Sequence, residues 1–199
     1  MSTVLKLGSA DHGRPMTFEE FLDGNYEEDF QYEIIEGRLY VTPAPNLPHD
    51  RITTFIYRQL IHYSEQHPDI INYVTQKARV LVDLETGFTS PEPDIAVYQN
   101  FPENSQAGWR DVHPLLVVEV LGARDEEKDL HRNVDLYLRV PSIQEYWVFD
   151  IRQHLAKPTL HVYRRHNENW DISIHDASEV YETQLLPDFS LAIGLTDSK

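Results

Sequence analysis

Leu115-Leu116-Val117-Val118-Glu119-Val120-Leu121 is an apolar run of strand length with one carboxylate inside it. Side chains alternate faces along a strand, so Glu119 shares a side with Leu115, Val117 and Leu121, while Leu116, Val118 and Val120 line the other. Both faces read as buried, the pattern of a central strand covered by helices. A carboxylate ionised there without a partner costs several kcal/mol or more, so Glu119 must be protonated, ion-paired or bound to a cation. A second acid, Asp94, follows Pro93 and precedes the strand-like Ile95-Ala96-Val97. Proline biases the residue before it toward extended backbone, and the residues after Asp94 read as a strand, so Asp94 opens that strand. If the two strands pair, both acids converge on one site. The residues equally allow an arginine from a neighbouring helix to neutralise Glu119 and Asp94 to be a turn acid.

The remaining pattern alternates helices and strands. Thr17-Phe18-Glu19-Glu20 fits a capping box opening a short helix that ends near Gly24. Gln31 to Ile35 and Arg38 to Thr42 flank Glu36-Gly37 as a hairpin. Ile52, Phe55, Ile56, Leu60 and Tyr63 recur at helical spacing between His49 and His67. Ile70 to Leu84 reads as one long strand turned back by Glu85-Thr86-Gly87. A helix from Glu126 to Val140, with Leu130, Val134, Tyr137 and Leu138 on its apolar side, ends at Pro141. Strands follow at Glu145 to Asp150, Thr159 to Tyr163 and Trp170 to Ile174. The helix between the Glu119 strand and the Glu145 strand reads as a crossover, which makes those two strands parallel. The fold class is thus α/β, a curved mixed sheet flanked by helices. The expected division is a loosely ordered segment over residues 1–15 and a single domain over residues 16–199.

Composition narrows the chemistry. The chain of 199 residues has no cysteine, which excludes disulfides, zinc-thiolate sites and a cysteine nucleophile. It has no apolar leader and no stretch of membrane-spanning length, so a cytoplasmic location is expected. The formal charge of −16 argues against tight non-specific nucleic-acid binding, which rests on Lys and Arg neutralising phosphates. Half of that charge comes from eight acids between Pro15 and Gly37. Exposed acids on a distant face are screened within about 8 Å at physiological salt. Arg124, Lys128, Arg132 and Arg139 follow Glu119 closely and lend that side local basic character.

An Asp opening one strand, a Glu inside the next, then a helix and another strand is similar to the core of PD-(D/E)xK nucleases. Tyr32-Glu33-Ile34-Ile35-Glu36-Gly37, Pro43-Ala44-Pro45 before His49, Pro93-Asp94, Val117-Val118-Glu119-Val120-Leu121 and Glu145-Tyr146-Trp147 in this order resemble the Uma-two restriction endonuclease family. The resemblance covers about residues 17 to 164. It implies a restriction-endonuclease-like fold and metal-dependent hydrolysis of DNA, with Asp94 and Glu119 as ligands of Mg²⁺ or Mn²⁺. Carboxylates are hard donors suited to these ions. The Val120 carbonyl is a further candidate ligand, and Glu33 matches the family's early acid, a holder of metal-bound water or of a second ion, or else a solvated acid beside a hairpin. Cleavage of both strands favours a homodimer.

One departure bears on activity. Nucleases of this class usually carry Lys two residues beyond the second acid, where this chain has Leu121. Many relatives supply Lys from the following helix, at the position matching Asn133, four residues after Asp129. Asn133 donates hydrogen bonds but carries no charge. Lys77, Lys128 and Arg132 are candidate substitutes. The competing reading is a catalytically impaired relative that acts as a binding or interaction module. The histidine pairs His62 with His67 and His161 with His166 are five residues apart, a poor interval for shared ligation on a helix or a strand.

Overall fold

The structure, a computed structural model, describes residues 6–82, 88–103, 108–122 and 126–195. In chain order, the strands are β1 (Lys6–Leu7), β2 (Asn25–Tyr26), β3 (Phe30–Ile35), β4 (Arg38–Pro43), β5 (Tyr73–Thr75), β6 (Ile95–Tyr98), β7 (Leu116–Leu121), β8 (Glu145–Asp150), β9 (Thr159–His166), β10 (Asn169–His175), β11 (Val180–Glu182) and β12 (Ser190–Ala192). The α-helices are α1 (Phe18–Leu22), α2 (Leu47–Gln66) and α3 (Asn133–Leu138), the last preceded by a π-helical turn at Lys128–Arg132. Six strands form one sheet in the order β10-β9-β8-β7-β6-β5. Among the described residues of this sheet only the β7–β8 pair is parallel, as the helical crossover between them requires. The architecture is the mixed α/β sheet with flanking helices that the sequence implies.

All six residues of β7 are buried, and its alternation builds two cores. Leu116, Val118 and Val120 pack with Ile52, Ile56 and Leu60 of α2. Val117 and Leu121 face the opposite layer, with Leu136 and Tyr137 of α3. Glu119 therefore points toward the crossover helix rather than toward α2.

Local chemistry sets several boundaries. Thr17 accepts from the Glu20 N–H and Glu20 reaches back to the Thr17 N–H, closing the expected capping box of α1. Asn46 caps α2 by accepting from the His49 N–H, so the helix begins two residues before His49. Glu36 and Gly37 both have positive φ, 50° and 71°, which gives the β3–β4 hairpin a tight turn with the twist its strands need. Residues 6–15, expected to be loosely ordered, contain β1, paired parallel with β2, and a short 3₁₀ turn, and Leu7 is buried in the small core beneath the hairpin.

Two expectations are corrected. The long strand over Ile70 to Leu84 is interrupted: β5 spans only Tyr73–Thr75. Val82 still bridges Thr89 in the same register that pairs Tyr73 with Tyr98. Between them Val80 donates to the Pro91 carbonyl, but Pro91 and Pro93 have no N–H to return, so the ladder lapses there. The turn expected at Glu85-Thr86-Gly87 lies outside the described residues. The crossover helix is also irregular. The Asn133 N–H bonds to the Lys128 carbonyl, five residues back, and this wider turn inserts one residue into the helical repeat. Its deeply buried positions are Asp129, Asn133, Leu136 and Tyr137, whereas Leu130, Val134 and Leu138 are only half-buried.

Candidate active site

β6 and β7 carry Asp94 and Glu119 to neighbouring positions. The Val120 N–H donates to Asp94 Oδ2 at 2.7 Å, and the Asp94 N–H donates to Glu119 Oε2 at 3.3 Å. Each acid thus satisfies a backbone donor beside the other. Extending the β6–β7 register by two residues sets Pro93 opposite Val120, and proline offers that carbonyl no N–H. His49, in the first turns of α2, brings its Nε2 to 3.0 Å from Asp94 Oδ2. These groups line a cleft of about 640 Å³, together with Gln31, Thr42, Gly122, Lys128 and Asp129.

The inner wall is built by the crossover helix. Asn133 Nδ2 donates to Glu119 Oε1 at 2.9 Å, and the Tyr137 hydroxyl donates to the same oxygen at 3.2 Å. Positions 133 and 137 are one α-helical turn apart and share a face. Asn133 Oδ1 in turn accepts from Arg132, which also donates to Glu33 Oε2 at 2.7 Å. Lys128 Nζ lies 3.5 Å from the other oxygen of Glu33, and the Glu92 N–H donates to that oxygen at 3.2 Å. Glu92 in turn pairs with Arg79 at 2.8 Å.

Charge and burial act together on these groups. Burial pushes the Glu119 carboxyl well above the ordinary range; Lys128 works against this rise, while Asp129, Asp94 and Glu33 add to it. Burial alone would also raise Glu33, but the Lys128 and Arg132 charges and the Arg132 hydrogen bond outweigh it and hold Glu33 below its ordinary value. For Lys128 burial opposes the charge, and Glu119, Glu33, Asp129 and Asp94 more than offset it, so the ammonium is held well above its usual range. Burial raises the Tyr137 hydroxyl, with Glu119 adding to the rise, so it remains a donor.

Asp94, Glu119, Val120 and Asn133 thus come together, and Glu33 joins them through Arg132 and Lys128. Lys77 is exposed and does not line the cleft, and Arg124 lies outside the described residues. Sequence reasoning left Tyr137 among the apolar residues; its spacing from Asn133 was the signal that it reaches the same carboxylate. The bond from Arg132 to Glu33 spans 99 residues and had no local signal. Among the described residues no three His, Asp or Glu side chains form a cluster able to hold a metal ion. A cation here would rest on two carboxylates and a main-chain carbonyl.

The six-stranded mixed sheet with its flanking helices has the restriction-endonuclease-like fold. The family described as "Uma2: Putative restriction endonuclease" matches residues 18–194, and the chain belongs to that family. A crystal structure of "a putative nuclease belonging to DUF820" from Anabaena variabilis is similar in fold, with a TM-score of 0.69 and 21% identity over 90% of this chain and 96% of that one. No curated protein sequence matches the chain. No helix among the described residues is long and apolar enough to cross a membrane.

Proposed function

We propose that the chain is a metal-dependent endonuclease that hydrolyses DNA phosphodiester bonds, with Asp94, Glu119 and the Val120 carbonyl holding Mg²⁺ or Mn²⁺. The reading rests on the convergence of Asp94 and Glu119 in an open cleft. Two carboxylates and one carbonyl leave about half of an octahedral shell to water and phosphate oxygens, which suits a hard ion that keeps part of its hydration shell. When bound, such an ion offsets phosphate charge and lowers the pKa of water.

The chain's own residues prepare the site. His49 fixes Asp94 Oδ2 from the α2 side, and Asn133 with Tyr137 fixes Glu119 Oε1 from the crossover helix. Holding both carboxylates in place limits the reorganisation needed when substrate arrives. Hydrolysis joins a water oxygen to phosphorus and breaks one P–O ester bond. The electron pair of that bond stays with the leaving alcohol oxygen, which takes up a proton, while the attacking water gives one up. The strong negative charge of the chain favours DNA held by few phosphate contacts, so engagement should be weak and its salt dependence shallow.

Incubation of the full chain with supercoiled plasmid at low salt tests the reading. Nicked or linear product with Mn²⁺, suppressed by a chelator, supports it. The second reading, a binding module without catalysis, rests on the neutral Asn133 beside Glu119. It gains support if the protein binds metal and duplex but leaves the plasmid intact.

A further inference from the structure

The geometry points to Lys128 as the catalytic cation of this site, brought to the cleft by the π-helical turn in place of a lysine at position 133. The inference rests on the nuclease reading above. Among the described residues Lys128 is the one lysine or arginine that lines the cleft with Asp94, Glu119 and Val120. Its side chain keeps 18% exposure, enough to meet a ligand in the cleft while most of its stem is buried. Arg132 is spoken for: it bonds Glu33 and Asn133 and lies over the Tyr40 ring.

The turn explains how a residue five positions before Asn133 reaches the same site. In a regular α-helix, residues five apart diverge by about 140° and cannot share a face. Here the Asn133 N–H bonds to the Lys128 carbonyl, closing a wider turn that draws the two positions together. Asn133 then contacts Glu119 from the interior, and Lys128 lines the cleft beside it. Glu33 anchors the ammonium at 3.5 Å without enclosing it, since Arg132 takes the other Glu33 oxygen at 2.7 Å. The surrounding acids keep Lys128 charged, which suits a group that stabilises the negative charge developing on phosphorus oxygens.

Single-turnover cleavage of a saturating DNA duplex at fixed Mn²⁺ compares the wild-type chain with Lys128→Met, Lys128→Gln and the double variant Lys128→Met/Asn133→Lys. The expected loss is about 100-fold or more in both single variants, in line with removal of one preorganised donor. The Mn²⁺-induced rise in melting temperature and the duplex affinity should stay within about threefold of wild type in affinity terms, a separation that a merely structural lysine would not give. The double variant, which restores an ammonium at the site, should recover at least about tenfold of the lost rate. An active wild type whose rate survives both single substitutions overturns the assignment and leaves the nuclease reading standing. The assignment is also overturned if the single variants lose cleavage only in step with lost folding or duplex binding and the double variant recovers nothing. A wild type that binds Mn²⁺ and duplex without cutting overturns the nuclease reading and Lys128's role with it.

Discussion

Asp94 and Glu119 are interlocked through main-chain donors: Asp94 accepts from the residue after Glu119, and Glu119 accepts from the Asp94 N–H. Two like charges held this close repel in the metal-free protein, and a divalent cation relieves the repulsion. Binding must then stabilise the fold. At about 100 times the dissociation constant the gain is roughly 2.7 kcal/mol, or about 5 to 10 °C in melting temperature for a domain of this size. Differential scanning fluorimetry with millimolar Mg²⁺ or Mn²⁺ measures it. Glu119→Gln, which keeps the side-chain shape, should abolish most of the shift; a shift of the same size in that variant would exclude Glu119 as a ligand.

Glu33 is the electrostatic anchor of the crossover helix. Its oxygens meet Arg132 and Lys128 from a buried position, so removing its charge leaves two cations without their partner. Glu33→Gln should cost on the order of 3 kcal/mol. Because the folded carboxyl titrates below its ordinary value, this stabilisation is complete above about pH 4.5 and is lost as pH falls through the lower folded value. Urea unfolding from pH 7 down to pH 3 should show the variant approaching the wild type in the acid limb. A constant difference across that range would mean that Glu33 stabilises the fold by something other than its charge.

Arg165 fastens the far end of the same helix. Its guanidinium donates to the carbonyls of Tyr137, Leu138, Val140 and Ile143 and lies over the Trp170 ring. Lysine cannot reproduce that planar fork. Arg165→Lys should lower stability by about 2 kcal/mol in denaturant unfolding, and Arg165→Ala by more. Equal stability of all three proteins would show that the carbonyls find other donors.

What the sequence made legible follows from period. β7, the Asp94 strand opening and the β3–β4 hairpin rest on alternation and turn chemistry confined to a few residues, and each is found where those signals place it. The strand expected to Leu84 carries the right alternation, with Ala78, Val80 and Val82 all buried. It fails as a ladder because the prolines that interrupt it, Pro91 and Pro93, belong to the opposing segment. The π-helical turn was hidden for another reason: apolar spacing was judged against 3.6 residues per turn, and one inserted residue moves Asp129 and Asn133 inward. The convergence of Asp94 and Glu119 could be read from order and spacing, and Val120 and Asn133 came from the family resemblance; Lys128 and Arg132 stood only as candidates with Lys77 until the fold showed which side chains they meet.

The central claim concerns chemistry at the two acids, and a matched comparison of wild type with Glu119→Gln tests it most directly. Both proteins are mixed in excess with a labelled DNA duplex at low salt and fixed Mn²⁺, and bound and cleaved fractions are followed in the same samples. The account predicts comparable binding by both, with cleavage by the wild type and at least about a 100-fold lower rate in the variant. Equal cleavage by the two proteins, or intact duplex in a wild-type sample with DNA and Mn²⁺ both bound, would contradict it.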